Sequence, residues 1–495
     1  MFAFCIYDKK KELLFLARDH LGIKPLYYYF DKGQFVFASE QKAILEHKEF
    51  SFLLNTQSLY QLLRFRYAPF EDTLFTGIKK LSRGSYMIVS QGKLSTHTYW
   101  DVTENILDKD ESYFTTKFIE LMKTSVKYHT IADTTVGCFL SGGIDSSLVT
   151  ALMAQEQQEH VKAFSAQFDF FSEAEFSTIL SEFAQIDHTV IDVTEKDALK
   201  TLPLLFKTYE EPMTELASIP TYLLSTVARK KGVKVVLSGD GGDELFGGYD
   251  HYFKLQRLHE RSKGLMHTFD SLKNTKLLPY KARRYLQTLH DAQRPDTAYL
   301  YLNRAFKQEE IDDLATFNTN ETQLLTAVQN NVNPSIKEFI NQVLYLDLKY
   351  QVGEYFLMKL DKATMAASIE ARVPYINKDL VHFSHQIPSA LKYKDAVAKY
   401  ISRKGAGHIL PKEIIERTKK GYGVPLFPWM KSELGDVVKN KLDFNAMLFK
   451  HNIFRKEKVF EFMANMRKNE HAANRMWHLF AIENWLDTYK DPLGL

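Results

Sequence analysis

Residues 141–147, with the sequence Ser-Gly-Gly-Ile-Asp-Ser-Ser, lie between an apolar strand-like segment and a helix-like segment. Backbone N–H groups at a helix N-terminus lack intrahelical partners and carry the positive end of the helix dipole. Two glycines let phosphate oxygens approach this backbone closely, and the hydroxyl groups add further hydrogen-bond donors. The run therefore predicts a phosphate-binding loop, and a helix cap preceded by a glycine-rich turn is the alternative interpretation.

Asp145 indicates what else this loop binds. A carboxylate among phosphate-binding groups repels the ligand unless a cation lies between them, and Mg²⁺ favours carboxylate and phosphate oxygens. The loop lacks the Lys-Ser/Thr pair of a Walker loop, so it predicts a different kind of nucleotide site. We therefore expect Asp145 to be a Mg²⁺ ligand.

A second run, residues 237–249, places three carboxylates among five glycines directly after another apolar segment. A structural turn needs one or two glycines, so this composition favours a binding site over a simple turn. Ligand sites of open α/β sheets assemble at the carboxyl ends of parallel strands, where both runs are predicted to lie. Asp145 and Asp243 are therefore predicted to bind one Mg²⁺ that bridges nucleotide phosphates.

The elements around these runs alternate between strand-like and helix-like segments. Short apolar stretches predict strands and longer stretches with helical spacing predict helices, in the order 135–140, 147–157, 161–168, 217–230 and 233–237. This alternation predicts an α/β fold with a parallel sheet whose two faces are covered. From about residue 252 onward the chain is predicted to be mostly helical.

Residues 1–100 follow a different pattern, with aromatic and β-branched runs separated by turn residues. This pattern predicts an all-β unit with short helical inserts. The acidic and polar residues 101–112 are predicted to be a linker, and residues 113–490 are predicted to form the second domain.

Composition excludes several classes of protein. The 495 residues are 45% hydrophobic and 25% charged, as in ordinary globular chains. A formal net charge of +3 is too balanced for a general nucleic-acid or membrane surface. No uninterrupted apolar stretch reaches the roughly 18 residues of a transmembrane helix. Cys5 and Cys138 match no metal or redox spacing, so we expect a reducing, cytoplasmic setting.

The two runs, together with further segments in the same order, resemble the glutamine-dependent asparagine synthetases. The first run resembles the pyrophosphatase loop of ATP-dependent synthetases that release AMP and pyrophosphate. The other matching segments are residues 211–212, 217–225, 359–365, 370–375, 399–401 and 419–425. The resemblance implies a parallel-sheet ATP-pyrophosphatase domain, like the adenine nucleotide alpha hydrolases, with a helical C-terminal part.

The resemblance also implies a reaction. Members of the family use ATP to activate the side-chain carboxylate of aspartate, which forms β-aspartyl-AMP and pyrophosphate. Ammonia, free or produced from glutamine, then attacks to give asparagine and AMP. The chain is therefore expected to be a cytoplasmic carbon–nitrogen ligase that uses ATP and Mg²⁺ and acts on small molecules.

The family's functional residues map onto positions of this chain. Asp240 would act in forming and using the adenylate, and Lys399 would stabilise charge on the α-phosphate and the tetrahedral intermediate. Asp145 and Asp243 would bind the metal. Glu370 and Arg372 would either orient the amino-acid head group or pair with each other. The positions matched to ATP binding are Phe139, Ser141, Gly142, Gly143, Asp145, Ser146, Ser147, Ala166, Ser238, Gly239 and Lys420.

Residues 18–28 and 37–40 resemble the later part of the family's N-terminal glutaminase domain, an Ntn-type sandwich. The family's N-terminal cysteine nucleophile and glutamine-binding residues precede this part and are absent from the 495 residues. Cys5 lies inside a predicted strand, and an internal cysteine lacks the α-amine that such a nucleophile uses as its base. We therefore expect a partial glutaminase unit without its own activity. Two assemblies are considered: one with a separate chain that supplies the glutaminase activity, and a homodimer.

Other functions remain open at this point. A related ligase could adenylate a different carboxylate, in a cell-surface or secondary-metabolite pathway. A tRNA-modifying ATP pyrophosphatase would need a basic or aromatic RNA platform, which the charge balance disfavours. A non-catalytic scaffold is disfavoured because Asp145, Asp240, Asp243 and Lys399 are all present. Aspartate-dependent pyrophosphate release distinguishes the leading hypothesis from these.

Overall fold

The computed structural model of the chain describes residues 1–47, 49–157, 160–169, 174–263, 280–417 and 423–495. The strands are β1 (Ala3–Asp8), β2 (Leu13–Arg18), β3 (Tyr27–Asp31), β4 (Gln34–Ala38), β5 (Ile78–Lys80), β6 (Ser85–Ser90), β7 (Lys93–Thr98), β8 (Val136–Phe139), β9 (Lys162–Gln167), β10 (Asp187–Asp192), β11 (Val235–Leu237), β12 (Glu370–Arg372), β13 (Tyr393–Lys394) and β14 (Val397–Ala398).

Helices surround these strands and form most of the chain after β11. A π-helix covers Asp347–Phe356 and a 3₁₀ turn covers Pro374–Ile376. The α-helices are Gln41–Leu45, Thr56–Phe65, Glu111–Thr130, Ile144–Glu156, Ala174–Ala184, Glu195–Thr208, Ser218–Lys230, Gly242–Phe246, Asp250–Ser262, Tyr280–Asp291, Pro295–Leu302, Gln308–Leu314, Glu321–Gln329, Phe339–Leu346, Leu357–Met365, Lys378–Ser384, Ser389–Lys392, Tyr400–Ala406, Lys412–Glu416, Leu426–Met430, Glu433–Lys441, Met447–Lys450, Lys456–Asn465 and Glu470–Leu493.

The central sheet has the order β10-β9-β8-β11-β12, and its paired strands run parallel. The predicted α/β fold with a parallel sheet is confirmed. The strand order reverses direction between β8 and β11, so this pair forms the switch point at which open α/β sheets bind ligands. β12 was not predicted, because three residues with a charged residue at each end give no hydrophobic run.

Residues 1–100 form a β-rich unit built from two antiparallel sheets, β1-β2-β6-β7 and β4-β3-β5. We call residues 1–100 the N-terminal β unit. Buried side chains from both sheets and from residues next to their strands pack into one cluster, namely Leu16, Leu26, Tyr28, Leu81, Met87 and Val89. The predicted β-rich pattern with helical inserts is therefore seen. Residues 101–110 contain neither helix nor strand and lead into the helix Glu111–Thr130.

The N-terminal β unit packs tightly against the rest of the chain. The ring of Phe75 lies 5.1 Å from that of Trp485, and Tyr67 stacks on Tyr355 at 5.0 Å. Such aromatic contacts bury large apolar areas and dominate the energetics of an interface. The unit is therefore continuous with the main hydrophobic core. Within the described ranges, no helix is both long enough and apolar enough to cross a membrane.

Candidate active site

The two glycine-rich runs meet at one edge of the central sheet. β8 and β11 pair in parallel, so their carboxyl ends lie side by side. The helix Ile144–Glu156 follows β8, and the short helix Gly242–Phe246 follows β11. A Cβ atom at Gly239 would lie 2.6 Å from the backbone nitrogen of Ser146, so a glycine is required where the loops touch. The sheet topology thus brings both predicted runs together.

The first loop is held in shape by its own serines. Ser146 Oγ accepts a hydrogen bond from Ser141 N at 3.1 Å and lies 3.2 Å from Gly143 O. Gly143 N donates to Ser141 Oγ at 3.3 Å. Among the described residues no side chain caps the helix Ile144–Glu156, and the N–H groups in the first turn of a helix are donors that suit an anion. This geometry fits the predicted phosphate loop better than a side-chain-capped turn.

Lys399 binds one carboxylate from each of the two glycine-rich runs. Its Nζ contacts Asp145 Oδ2 and lies 2.6 Å from Asp243 Oδ1. The Lys399 side chain is only 3% exposed, and those of Asp145 and Asp243 are 16% and 19% exposed. Burial alone would lower the pKa of Lys399, but the two carboxylates outweigh it and raise the pKa above its ordinary value. The ammonium group therefore stays charged between the carboxylates.

The backbone around this cluster is constrained. Lys399 has a φ of 56°, in the left-handed region, where it precedes the helix Tyr400–Ala406. A non-glycine residue in this region costs of order 1 kcal/mol or more and is common at functional sites. Gly242 and Gly248 lie against the carboxylates of Asp145 and Asp243, where an added Cβ would overlap their oxygens.

Asp240 is positioned by two neighbours. Ser238 Oγ donates a hydrogen bond to Asp240 Oδ2. Lys359 Nζ lies 3.6 Å from Asp240 Oδ1, and the Lys359 side chain is 11% exposed. Because Asp240 itself is 25% exposed, its carboxylate is both oriented and accessible from the cavity.

These groups surround a cavity of about 340 Å³. The predicted site residues that line it are Phe139, Ser141, Gly143, Asp145, Ser146, Ala166, Ser238, Gly239, Asp240 and Asp243. Phe139 and Ala166, with Phe164 and Leu224, make one part of the lining apolar. Such a surface suits a purine ring beside the phosphate loop.

Other predicted residues lie around the cavity without lining it. Lys399 reaches the site through Asp145 and Asp243. Gly142 has a φ of 73°, and its carbonyl accepts a hydrogen bond from Arg417 Nη1 at 2.7 Å. Ser147 is fully buried in the first turn of its helix. Lys420 lies in residues 418–422, outside the described residues.

Glu370 and Arg372 are not brought to the cavity. Arg372 Nε lies 2.9 Å from Glu370 Oε1, so the two side chains pair with each other. Arg372 Nη1 also donates to the carbonyls of His129 and Ile131, at 2.8 and 2.7 Å. Cationic groups at a helix C-terminus satisfy its free carbonyls. Of the two interpretations offered by the sequence, the geometry favours mutual pairing.

Sequence reasoning assigned no individual role to five polar residues that line the cavity. They are Glu215, Thr221, Glu244, Tyr249 and Lys359. Tyr249 OH donates to Glu244 Oε1 at 2.8 Å. Among the described residues that line the cavity, Lys359 alone carries a positive charge. Lys359 belongs to the matched segment 359–365. A lysine beside the apolar face of a predicted helix was the sequence feature that could have suggested a site residue there.

Asp145 and Asp243 are the residues of the site that suit Mg²⁺. Asp145 and Asp243 direct carboxylate oxygens at the same cationic nitrogen, so their geometry suits a shared cation, and oxygen is the ligand that Mg²⁺ prefers. In the described part of the chain, no group of three or more His, Cys, Asp or Glu side chains could hold a metal. The two carboxylates fit an ion that completes its coordination with phosphate oxygens and water.

This fold and site define a class of nucleotide-dependent α/β enzymes with a glycine-rich phosphate loop. Comparison with protein families gives a narrower assignment. Residues 117–487 match the family described as asparagine synthase, and residues 1–100 match the glutamine amidotransferase domain. The chain belongs to the asparagine synthase family.

Similar proteins bear related names. The chain is 31% identical to asparagine synthetase (glutamine-hydrolyzing) 1 of Bacillus subtilis strain 168, over 89% of this chain and 70% of that protein. It is 30% identical to asparagine synthetase B (glutamine-hydrolyzing) of Escherichia coli K12, over 56% of this chain and 49% of that protein. A putative asparagine synthetase of Methanocaldococcus jannaschii is 36% identical over 50% of this chain and 49% of its own length.

Proposed function

We propose that this protein is an ATP-dependent ligase that converts L-aspartate to L-asparagine through β-aspartyl-AMP, releasing AMP and pyrophosphate. One observation carries the proposal: the phosphate loop, the carboxylates of Asp145 and Asp243 bridged by Lys399, and Asp240 converge on one cavity. Membership of the asparagine synthase family supports aspartate as the acid.

In the first step, ATP binds with its purine against the apolar wall that includes Phe139 and Ala166. The hydroxyls of Ser141 and Ser146 and the helix N–H groups bind the phosphates that leave as pyrophosphate. A β-carboxylate oxygen of aspartate attacks the α-phosphorus, and the bond to pyrophosphate breaks. We assign to the Lys399 ammonium, which Asp145 and Asp243 hold just behind the cavity lining, stabilisation of the negative charge that develops at the α-phosphate.

In the second step, the ammonia nitrogen attacks the carbonyl carbon of β-aspartyl-AMP. The tetrahedral intermediate collapses with breakage of the bond to AMP, and the nitrogen loses a proton. We assign this proton to Asp240, because Ser238 and Lys359 hold its carboxylate at the cavity surface.

Lys359 and Glu215 are the residues we propose for the amino-acid head group. An ammonium suits the α-carboxylate of aspartate, and a carboxylate suits its α-amine. Both residues line the cavity, whereas Glu370 and Arg372 are engaged with each other and with a helix terminus.

Asp145 and Asp243 would hold Mg²⁺ together with the phosphates of ATP. Bound there, the ion would neutralise phosphate charge and shield the two carboxylates from the nucleotide. Lys420 is proposed as a further phosphate contact on the strength of the resemblance alone. The proposed domains are residues 1–100, a linker at 101–112 and a synthetase domain at 113–490.

We further infer that neither cysteine of the 495-residue chain hydrolyses glutamine. Cys5 lies within β1 opposite Leu16, and burial raises the pKa of its thiol. Cys138 is fully buried, and burial raises the pKa of its thiol to about 12. A thiol with a raised pKa is a poor nucleophile at neutral pH. For these 495 residues, we propose ammonia from solution or from a separate glutaminase chain as the nitrogen source, and a homodimer is the other assembly considered.

The test uses the purified 495-residue chain with ATP, Mg²⁺ and ammonium. Pyrophosphate release that depends on aspartate, with one asparagine formed per AMP, is the expected result. Full activity with another carboxylic acid and none with aspartate would favour a sibling ligase instead. Glutamate release from glutamine by the purified chain would contradict the inference about the cysteines.

A further inference from the structure

We propose that the N-terminal β unit acts as a positioning element for the synthetase site, by holding the helix that carries Lys359. The inference rests on the proposed function of the cavity, and it assigns the unit a role that is independent of glutamine hydrolysis. The role applies when free ammonia is the nitrogen source.

The helix Leu357–Met365 presents different residues to the cavity and to the N-terminal β unit. Lys359 and Leu360 line the cavity. The next two residues, Asp361 and Lys362, bind side chains of the N-terminal β unit. Since the short helix moves as one rigid segment, a displacement at Asp361 and Lys362 also displaces Lys359.

Two ion pairs connect this helix to the unit. Lys24 Nζ lies 2.6 Å from Asp361 Oδ1, with side chains 24% and 14% exposed. Lys362 Nζ lies 2.9 Å from Glu40 Oε1 and 2.7 Å from Glu210 Oε2. Salt screens shielded ion pairs less than exposed ones. The Lys24–Asp361 pair is partly shielded, whereas in the second pair Lys362 is buried and Glu40 is 40% exposed. The contacts therefore hold the helix in a defined place.

Lys362 is buried and needs carboxylate partners to remain charged. Its side chain is 4% exposed, and that of Glu210 is 2% exposed. Burial alone would lower the pKa of Lys362, but Glu210 and Glu40 outweigh it and raise the pKa above its ordinary value. Lys362 therefore remains an ammonium that binds one carboxylate of the synthetase part and one of the N-terminal β unit.

A second set of contacts reaches the segment just before this helix. Arg18 Nη1 and Lys80 Nζ lie 3.3 and 3.1 Å from the carboxylate oxygens of Glu354. Glu354 belongs to the π-helix Asp347–Phe356, whose last residue lines the cavity. A Cβ atom on Gly353 would lie 3.3 Å from the carbonyl oxygen of Leu21. The unit thus contacts two consecutive helical segments that lead to Lys359.

The position of Lys359 is also important for Asp240. Lys359 Nζ lies 3.6 Å from Asp240 Oδ1, a separation at which a small displacement removes the interaction. Lys359 is also the residue proposed for the α-carboxylate of aspartate, and its displacement weakens a charge-assisted hydrogen bond to the bound substrate. Loss of the ion pairs between the N-terminal β unit and the helix Leu357–Met365 is therefore expected to weaken binding of the amino-acid substrate.

The test compares Lys24→Met and Glu40→Gln with the matched control Lys79→Met. Lys79 belongs to the same unit and pairs at 3.6 Å with Asp72, with side chains 45% and 55% exposed. Each variant of the 495-residue chain is assayed with free ammonium, and KM and kcat are measured with aspartate as the varied substrate. Hydrogen–deuterium exchange of residues 357–365 is measured in parallel, and this second readout does not depend on activity.

We expect the KM for aspartate to rise about threefold to about thirtyfold in Lys24→Met and Glu40→Gln, with a smaller change in kcat. Exchange in residues 357–365 should be faster in both variants, and Lys24→Arg should restore both readouts. Lys79→Met should behave as wild type. Unchanged exchange in both test variants would overturn the inference. An inactive wild type would instead count against the proposed function, and the exchange data alone would then decide the positioning role.

Discussion

Lys399 Nζ lies 2.6 Å from Oδ1 of Asp243, which connects a residue of the helical C-terminal part to the short helix that follows β11. The same nitrogen contacts Asp145 in the phosphate loop. Each carboxylate alone would repel a nucleotide phosphate, and the shared ammonium offsets part of their combined negative charge. The ammonium and the two carboxylates therefore determine the charge at the phosphate-loop end of the cavity.

Replacement of Lys399 by methionine removes this compensation. We expect pyrophosphate release to fall by about 100-fold to about 1,000-fold, since a fixed group that stabilises developing charge is lost. The free energy of unfolding should fall by about 3–5 kcal/mol, because two partly buried carboxylates lose their partner. Both effects are measured by a pyrophosphate assay and by urea denaturation.

The control for this variant is Lys412→Met. Lys412 is 79% exposed and pairs at 3.5 Å with Glu416, which is 66% exposed. Exposed pairs contribute about 0–1 kcal/mol, so the control should keep its activity and stability. Equal behaviour of the two variants would argue against a special role for Lys399.

Asp145→Asn tests the metal site. The amide keeps the size of the side chain but loses the charge that binds Mg²⁺, so aspartate-dependent pyrophosphate release should be abolished. Lys399 retains Asp243 as a partner, so the variant should fold. Removal of Mg²⁺ from the wild type by a chelator should have the same effect on activity. Wild-type turnover by Asp145→Asn would refute the assignment.

Arg372→Met and Lys359→Met separate the two proposed head-group sites. Because Arg372 pairs with Glu370 and with helix carbonyls, its loss should lower stability by about 1–3 kcal/mol and leave the KM for aspartate unchanged. Loss of Lys359 should raise this KM roughly tenfold or more, since a charge-assisted hydrogen bond is removed. The opposite pattern in steady-state kinetics would restore the assignment of Arg372 to the substrate.

Lys392 predicts a pH dependence of stability. Its side chain is 1% exposed, its Nζ has no hydrogen-bond partner among the described residues, and burial lowers its pKa to about 7. The unfolded chain therefore binds more protons than the folded one between pH of about 7 and the ordinary range of lysine, so stability rises with pH there. Glu338 and Glu104 face Lys392 and offset part of the penalty.

Lys392→Met should remove this dependence. The free energy of unfolding at about pH 6 should increase by about 1–3 kcal/mol, and the gain should diminish as the pH rises above about 7. Urea denaturation at several pH values measures the slope. A slope equal to that of the wild type would show that Lys392 is compensated in the folded protein.

Local features of this protein could be predicted from its sequence, and long-range ones could not. The phosphate loop was predictable because strand, glycine-rich turn and helix are neighbours in the chain, and the convergence of Asp145 and Asp243 follows from parallel strands. Lys399 was suggested by resemblance, but its left-handed backbone and its contact with both carboxylates depend on the packing of distant elements. Lys359 was missed for the same reason.

Glu370 and Arg372 illustrate the opposite case. Two opposite charges near a matched motif suggested a substrate site, yet both lie on β12, where they pair with each other. A three-residue strand at the sheet edge places its side chains by register, and register is set by the neighbouring strand. The sequence of the segment alone does not contain that information.

The most direct test of the account follows the oxygen atoms of aspartate. Aspartate labelled with oxygen-18 in its β-carboxylate is incubated with the purified chain, ATP, Mg²⁺ and ammonium, and the AMP is analysed by mass spectrometry. Attack of the β-carboxylate on the α-phosphorus, followed by amide formation, predicts one labelled oxygen in each AMP. Unlabelled AMP, or label in inorganic phosphate, would contradict the proposed β-aspartyl-AMP intermediate.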